Sequence, residues 1–382
     1  MLKPVLILPL LALSICCTSH QSESKNPVRN IFETIDFLIT DAIKDSAFPG
    51  AVVLVSKDGK IIYEKGFGHF TYETSSASVT NKTIYDIASL TKAIATTTAV
   101  MICLDKNLFE LDDPVSKYIP EFAQNGKANI TIKNLLLHNS GLPAWKKYYS
   151  LNLSAEEIIN DINKLKTDYE PGSKTVYSDL GSIVLGKLVE KVSGKPLNEF
   201  CKEEIFQPMN MAETFFNPPD SLKYRIAPTE FDNYWRMKQI HGEVHDEMAS
   251  LLGGVAGHAG IFSTAPDIAK LLQMILNKGT YNGKQLIKPE TVELFTKKFS
   301  ENSTRALGWD TKSETRSSAG NYFDKTSFGH LGFTGTSVWI DPTRNLFVVF
   351  LTNRVYPSRD NKRIFSIRPK LHDAVIRAID ED

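Results

Sequence analysis

Strand-like text stands at the two ends of this chain with mainly helical text between, and that arrangement narrows the folds open to it. Near the start, apolar runs at 51–55 and 61–66 flank Lys57-Asp58-Gly59-Lys60, and Asp-Gly between two such runs marks a hairpin. Near the end, runs at 336–340 and 346–351 flank Asp341-Pro342-Thr343-Arg344-Asn345. Helical text at 30–43 precedes the first pair and helical text at 369–379 follows the second. One antiparallel sheet built from both termini, flanked by helices, accounts for the pattern. The expected fold class is α/β plus an all-helical region. Residues 31–88 and 300–382 form the α/β part and residues 89–299 the mainly helical part, with helices at 89–104, 155–165, 179–192, 197–205 and 267–277 between loops containing Pro and Gly. There is no internal repeat or coiled-coil pattern.

At 382 residues the chain is long enough for a sizeable core and more than one layer. Lys plus Arg balances Asp plus Glu at 44 each, which gives no case for a nucleic-acid partner. Residues 1–17 carry one early lysine, a short apolar stretch and then Cys16 and Cys17, too short for a membrane span and suited to an export leader. Leu13-Ser14-Ile15-Cys16, with Cys17 next, resembles a bacterial lipoprotein cleavage box, with Cys17 favoured over Cys16 for the lipid; a plain secretory signal is the alternative. Residues 18–30 are polar and read as a tether. Cys103 and Cys201 lie in helix-like text and are expected as separate buried thiols.

Ser89-Leu90-Thr91-Lys92 opens the helical text that follows the first strands. A spacing of three puts a hydroxyl and an amine on one helical face, with Ser89 in the first turn, where free N–H groups favour developing negative charge. Two later segments join it: Tyr177-Ser178-Asp179 in PGSKTVYSDLG, and His330-Leu331-Gly332 in FGHLGFTGTSVWIDP. In this order and at these separations the three resemble the active-site elements of the penicillin-recognising serine hydrolases, closest to the branch of class C β-lactamases, DD-peptidases and esterases. The resemblance runs from about residue 31 to the C-terminus and includes LDDPVSKYIPEF at 111–122, TIKNLLLHNSGLP at 131–143, LLGGVAGHAGIFSTAPDIAKLLQMI at 251–275 and LTNR at 351–354. It implies a β-lactamase/transpeptidase-like fold.

Ser89 is then the expected nucleophile, forming an acyl-enzyme. Lys92 accepts its proton only where burial or positive charge lowers the amine from its reference pKa of about 10.4. The resemblance implies that Tyr177 moves protons to the leaving group and the deacylating water. Asp179 stands where related enzymes usually carry Asn; a carboxylate only accepts hydrogen bonds, which suits orienting Lys92. His330 replaces the usual Lys of the β-lactamases, is expected to donate toward Tyr177 or substrate, and is expected to change charge near neutral pH. Gly332 is expected to let substrate lie close to the strand edge. The N–H groups of Ser89 and Phe333 are the expected oxyanion hole. Leu331 lacks the hydroxyl with which relatives grip a substrate carboxylate, leaving Thr334 or Thr336 to compensate.

His241, His245, Asp246, Glu247 and His258 are residue types that bind zinc, yet a hydrogen-bonded loop at the site rim fits them better, so no metal and no cofactor is expected. The reading is an exported, lipid-anchored serine hydrolase of the periplasm or outer envelope. A DD-carboxypeptidase acting on cell-wall peptides, an esterase and a β-lactamase are its candidate activities, and a weakly catalytic binding or sensor module is the alternative of another kind.

Overall fold

The computed structural model describes residues 32–380; the leader, the tether, Cys16 and Cys17 lie outside the described residues. A six-stranded antiparallel sheet is assembled from both ends of the chain. Its strands are β1 (Gly50–Lys57), β2 (Lys60–Gly68), β5 (Asp310–Thr311), β6 (Phe328–Leu331), β7 (Ser337–Asp341) and β8 (Leu346–Thr352), in the order β5-β6-β7-β8-β1-β2. The β1–β2 hairpin turns on Asp58 and Gly59, both at positive φ, as a two-residue hairpin turn requires. N- and C-terminal halves meet where β1 pairs β8, with Val53 opposite Phe350.

Alternation along the central strands feeds two cores. Val53, Val55, Val348 and Phe350 pack with Ile35 and Ile39 of α1 (Glu33–Lys44) and Leu371 and Val375 of the C-terminal helix (Ile364–Asp380). Val52, Leu54, Val349 and Leu351 join the second core, which continues into the helical region through Leu272, Ile275, Leu185 and Val100. The C-terminal helix begins ahead of Pro369, the expected start, because burial of Ile364 and Arg368 outweighs the one ladder bond that proline forfeits.

The middle region holds α2 (Thr98–Asp105), α3 (Ile132–Leu136), α4 (Ala155–Lys164) and α5 (Asp179–Ser193), while the helix expected at 197–205 is α-helical over Leu197–Cys201 and π-helical over Lys202–Phe206; in a small sheet β4 (Ile261–Ser263) lies between β3 (Tyr85–Asp86) and Phe215–Phe216. The segment expected as one helix from 89 is divided: Lys92–Thr97 is π-helical and Thr98–Asp105 is α-helical. Among the described residues Cys103 and Cys201 have no disulfide partner and are buried, and burial pushes the Cys103 thiol up to about 12.

Candidate active site

Four chain segments converge on Ser89. The first is the turn that carries it out of β3: Ala88 adopts a left-handed φ of 47°, after which the chain enters the π-helical segment. π-Helical turns re-aim side chains and concentrate at functional sites. Here the turn sets Lys92, only 3 % exposed, with Nζ 2.9 Å from Ser89 Oγ.

The second segment is 257–258. A Cβ on Gly257 would lie 2.0 Å from the Ser182 carbonyl, so only glycine lets this strand of chain press against α5. Thr96 Oγ1 donates to the Gly257 carbonyl at 2.7 Å, and the His258 carbonyl next to it accepts from Lys92 Nζ at 3.0 Å. His258 is itself held by Asp246, with Nε2 and Oδ1 2.7 Å apart.

The third segment brings Tyr177 and Asp179. Ser178 caps α5, accepting from Gly181 N at 3.1 Å and donating to the Pro143 carbonyl at 2.7 Å, while its own N–H donates to His138 Nδ1 at 3.1 Å. The cap delivers Asp179 Oδ1 to 2.7 Å from Lys92 Nζ. It also lays the Tyr177 ring between the His138 ring, 4.6 Å away by centroid, and the Lys92 ammonium, 4.9 Å from the ring centre. The Arg305 guanidinium covers the ring at 5.2 Å.

These partners reverse one expectation. Burial works to lower the Lys92 pKa, but the carboxylate of Asp179 and the Tyr177 side chain outweigh it, and the amine is pushed above its ordinary value. Lys92 in this arrangement is an ammonium that donates to Ser89, not a free base.

The fourth segment is β6 and its following turn. His330 Nδ1 donates to the Leu331 carbonyl at 3.0 Å, which leaves Nε2 as the lone-pair nitrogen, buried and without a hydrogen-bond partner among the described residues. Burial, then the charges of Lys92 and Arg305, push its pKa down to about 3. His330 is therefore neutral near pH 7 and offers an acceptor where a titrating donor was expected. Its ring lies 6.0 Å from that of Tyr177.

Leu331 faces the cleft. The hydroxyls of Thr334 and Thr336 do not replace the one it lacks: both are buried and donate to the carbonyls of Asp86 (2.7 Å) and Ile87 (3.0 Å). Gly332 lines the cleft, and packing also requires a glycine there, since a Cβ would meet Thr336 Oγ1 at 2.0 Å and the Ile87 carbonyl at 2.5 Å. Phe333 is 47 % exposed at the rim. Among the described residues neither its N–H nor that of Ser89 has a hydrogen-bond acceptor.

The cleft enclosed by these segments has a volume of about 290 Å³ and is also lined by Arg305, Arg354, Phe365 and Arg368. Arg305 and Arg368 were absent from the sequence reading because nothing local distinguishes them from surface charge, and Arg354 entered it only as the end of LTNR. His138 and His258 lay inside quoted family text, but His258 acts through its backbone, where residue type carries no signal.

The histidines and acids considered for zinc go to separate partners. His241 Nε2 lies 2.8 Å from the Ile226 carbonyl, His245 Nε2 3.0 Å from Glu230, His258 on Asp246, and Glu247 on Tyr234 and Arg359. They form hydrogen-bonded loops around the site and do not converge.

Residues 35–369 match the family model described as Beta-lactamase. The chain is 35% identical over 364 residues to an N-acetylmuramyl-L-alanine amidase of Bacillus subtilis (strain 168), covering 84% of this chain and 81% of that one. It is also 35% identical over 344 residues to an Escherichia coli (strain K12) protein named "Putative D-alanyl-D-alanine carboxypeptidase", covering 81% and 79%. Among solved structures the fold is shared with EstCE1, a hydrolase with promiscuous acyltransferase activity (TM-score 0.73, 23% identity, 90% of this chain and 98% of that one). It is shared equally with a penicillin-binding protein homologue from Caulobacter crescentus (TM-score 0.72, 18% identity, 91% and 98%).

Proposed function

The chain belongs to the beta-lactamase family of penicillin-recognising serine hydrolases, and from that premise we propose that it hydrolyses carboxylic esters through a covalent Ser89 acyl-enzyme. The observation that carries the proposal is the buried Lys92 ammonium, hydrogen-bonded to Ser89 Oγ and the His258 carbonyl and ion-paired with Asp179, behind a Ser89 that lines an open cleft.

Ser89 Oγ attacks the acyl carbon, a C–O bond forms, and the carbonyl oxygen takes the negative charge between the N–H groups of Ser89 and Phe333. The seryl proton has to leave as the bond forms. Asp179 favours keeping a proton on Lys92, so the acceptor in the Lys92–Tyr177 pair is the Tyr177 oxygen acting as phenolate, the form favoured by the ammonium against its ring, and it becomes the hydroxyl on taking the seryl proton. Collapse expels the alcohol, which takes that proton. Water then repeats the attack on the seryl ester, releasing the acid and restoring Ser89. His330 Nε2, neutral and acceptor-only, suits a hydrogen bond from the Tyr177 hydroxyl or the incoming water.

Ester cleavage is favoured because Leu331 has no hydroxyl and those of Thr334 and Thr336 are committed to backbone. The second reading is a DD-carboxypeptidase acting on cell-wall peptides. It is supported by the Arg305 guanidinium in the cleft, which suits a substrate carboxylate, whereas those of Arg354 and Arg368 are spent on backbone carbonyls, and by the name of the Escherichia coli relative. β-Lactam hydrolysis ranks third. The leader text supports an exported protein anchored by lipid at Cys17 or Cys16.

The test is turnover of short-chain p-nitrophenyl esters, a D-Ala-D-Ala peptide and a chromogenic β-lactam by wild-type and Ser89→Ala protein. Ester turnover abolished in the variant supports the first reading and peptide turnover alone the second. Equal weak turnover by both proteins would leave a binding or sensor module.

A further inference from the structure

We propose that Asp86 is a positioning residue that sets both halves of the oxyanion hole, the N–H of Ser89 and the N–H of Phe333, through its buried carboxylate and its backbone carbonyl; this rests on the hydrolase reading above. Asp86 is 2 % exposed at the end of β3. Its Oδ1 accepts from Ala88 N at 2.8 Å, its Oδ2 from His245 N at 2.7 Å, and its backbone carbonyl from Thr334 Oγ1 at 2.7 Å. Both side-chain oxygens are therefore spent on backbone N–H groups.

The bonds from Ala88 and Thr334 end beside a donor of the hole, and the bond from His245 ends at a residue whose ring packs on Phe333. Ala88 is a residue with a Cβ held at a φ of 47°, a conformation that needs external support, and the turn it makes aims the N–H of Ser89. Thr334 is the neighbour of Phe333. His245 stacks on the Phe333 ring at 5.7 Å and 26°, and is itself fixed by Glu230, 3.0 Å from Nε2. Glu230 in turn accepts from Arg359 Nε at 2.7 Å, whose guanidinium covers the same Phe333 ring at 5.7 Å.

The connection matters because the two donors come from different sheets. Ser89 follows β3 of the small sheet and Phe333 follows β6 of the large one, so no strand ladder sets their separation. Across that seam run the bonds from Thr334 to Asp86 and from Thr336 to Ile87. Two donors serve one developing oxyanion only at fixed spacing, and a displacement of about 1 Å is enough to cost on the order of 100-fold in rate.

The experiment uses full-length Asp86→Asn, which keeps the volume but turns an amide N–H₂ toward one of the two N–H donors. The readouts are kcat and KM for a short-chain p-nitrophenyl ester and the affinity of phenylboronic acid, whose tetrahedral seryl adduct places an oxygen in the hole. The expected result is kcat lower by roughly 100-fold with KM within about threefold, and boronate affinity falling in parallel. Asp341→Asn is the control, a buried turn carboxylate at the far end of β7 bonded to Thr343 and Arg344; it should lower Tm without moving kcat. Asp86→Asn turning over within threefold of wild type, or losing rate only in proportion to its unfolded fraction, overturns the inference. Should Asp86→Asn not fold, Thr334→Val removes the seam bond alone and is read the same way, a preserved kcat overturning the inference. Wild-type protein without turnover or acylation of Ser89 overturns the hydrolase reading itself, and the inference with it. Turnover in wild type with both variants indifferent overturns only the role of Asp86.

Discussion

Lys92 is a protonated amine where a proton acceptor was expected, and His330 is a neutral imidazole where one that titrates near neutral pH was expected. Asp179 holds Lys92 protonated, so catalysis in this account needs the ammonium and ends when it loses its proton. Asp179→Asn removes the group that raises the amine. The basic limb of the kcat/KM profile should then move to lower pH, with a fall of about 10–100-fold at pH 8; an unmoved limb would show that Lys92 does not titrate there. His330, pushed down to about 3, is neutral on both sides of pH 7. Its replacement by Gln should lower kcat while leaving the shape of the profile between pH 6 and 8 unchanged, and loss of a break near 6.5 in the variant would contradict this. The identity of Ser89, Lys92, Tyr177, Asp179 and His330 as one site was legible in the sequence from their motifs. The protonation states were not, because they depend on burial, on the contact of Lys92 with Asp179 and Tyr177, and on Arg305, all of which are set only in three dimensions.

Among the elements, the hairpins and central strands were legible because their alternation is strict: Val53 and Val55 face one core, Val52 and Leu54 the other. A Leu54→Ala substitution in this doubly covered strand should cost about 2–5 kcal/mol in denaturant unfolding, with little change in KM. The π-helical turn at Lys92–Thr97 was not legible, since KAIATT reads equally well as ordinary helix. What selects the wider turn is tertiary: Thr96 and Lys92 both bond to the 257–258 backbone. Gly257→Ala tests that contact. A Cβ against the Ser182 carbonyl should push the segment off α5, costing about 1–3 kcal/mol in stability and a larger share of kcat than Leu54→Ala costs. Equal, small effects of both substitutions would mean that the segment does not support Lys92. The small sheet of β3, β4 and Phe215–Phe216 also escaped the sequence, because strands of two or three residues have no measurable periodicity.

On the scale of the whole molecule, one sheet separates two cores, and the cleft opens where the sheet edge meets the helical region. That design buries imidazoles on both sides. His330 is pushed down to about 3 and His372 to about 4, both chiefly by burial, and His138 is held well below the ordinary range for the same reason. The unfolded chain binds these protons near pH 6.5 and the folded chain does not, so stability is full above that pH and is lost as pH falls toward 4 and then 3. Each such imidazole contributes up to about 1.4 kcal/mol per pH unit across that window. Tm should drop steeply between pH 6 and 4, and His372→Gln, remote from Ser89, should flatten the drop; a pH-independent Tm would contradict the buried neutral imidazoles. The central claim is the covalent seryl ester, and intact-mass measurement during timed exposure to a p-nitrophenyl ester, a D-Ala-D-Ala peptide and a fluorescent penicillin tests it most directly. The account predicts a transient adduct of acyl mass, mapped to Ser89 and absent from Ser89→Ala; substrate turnover without any adduct, or an adduct that survives in Ser89→Ala, would contradict it.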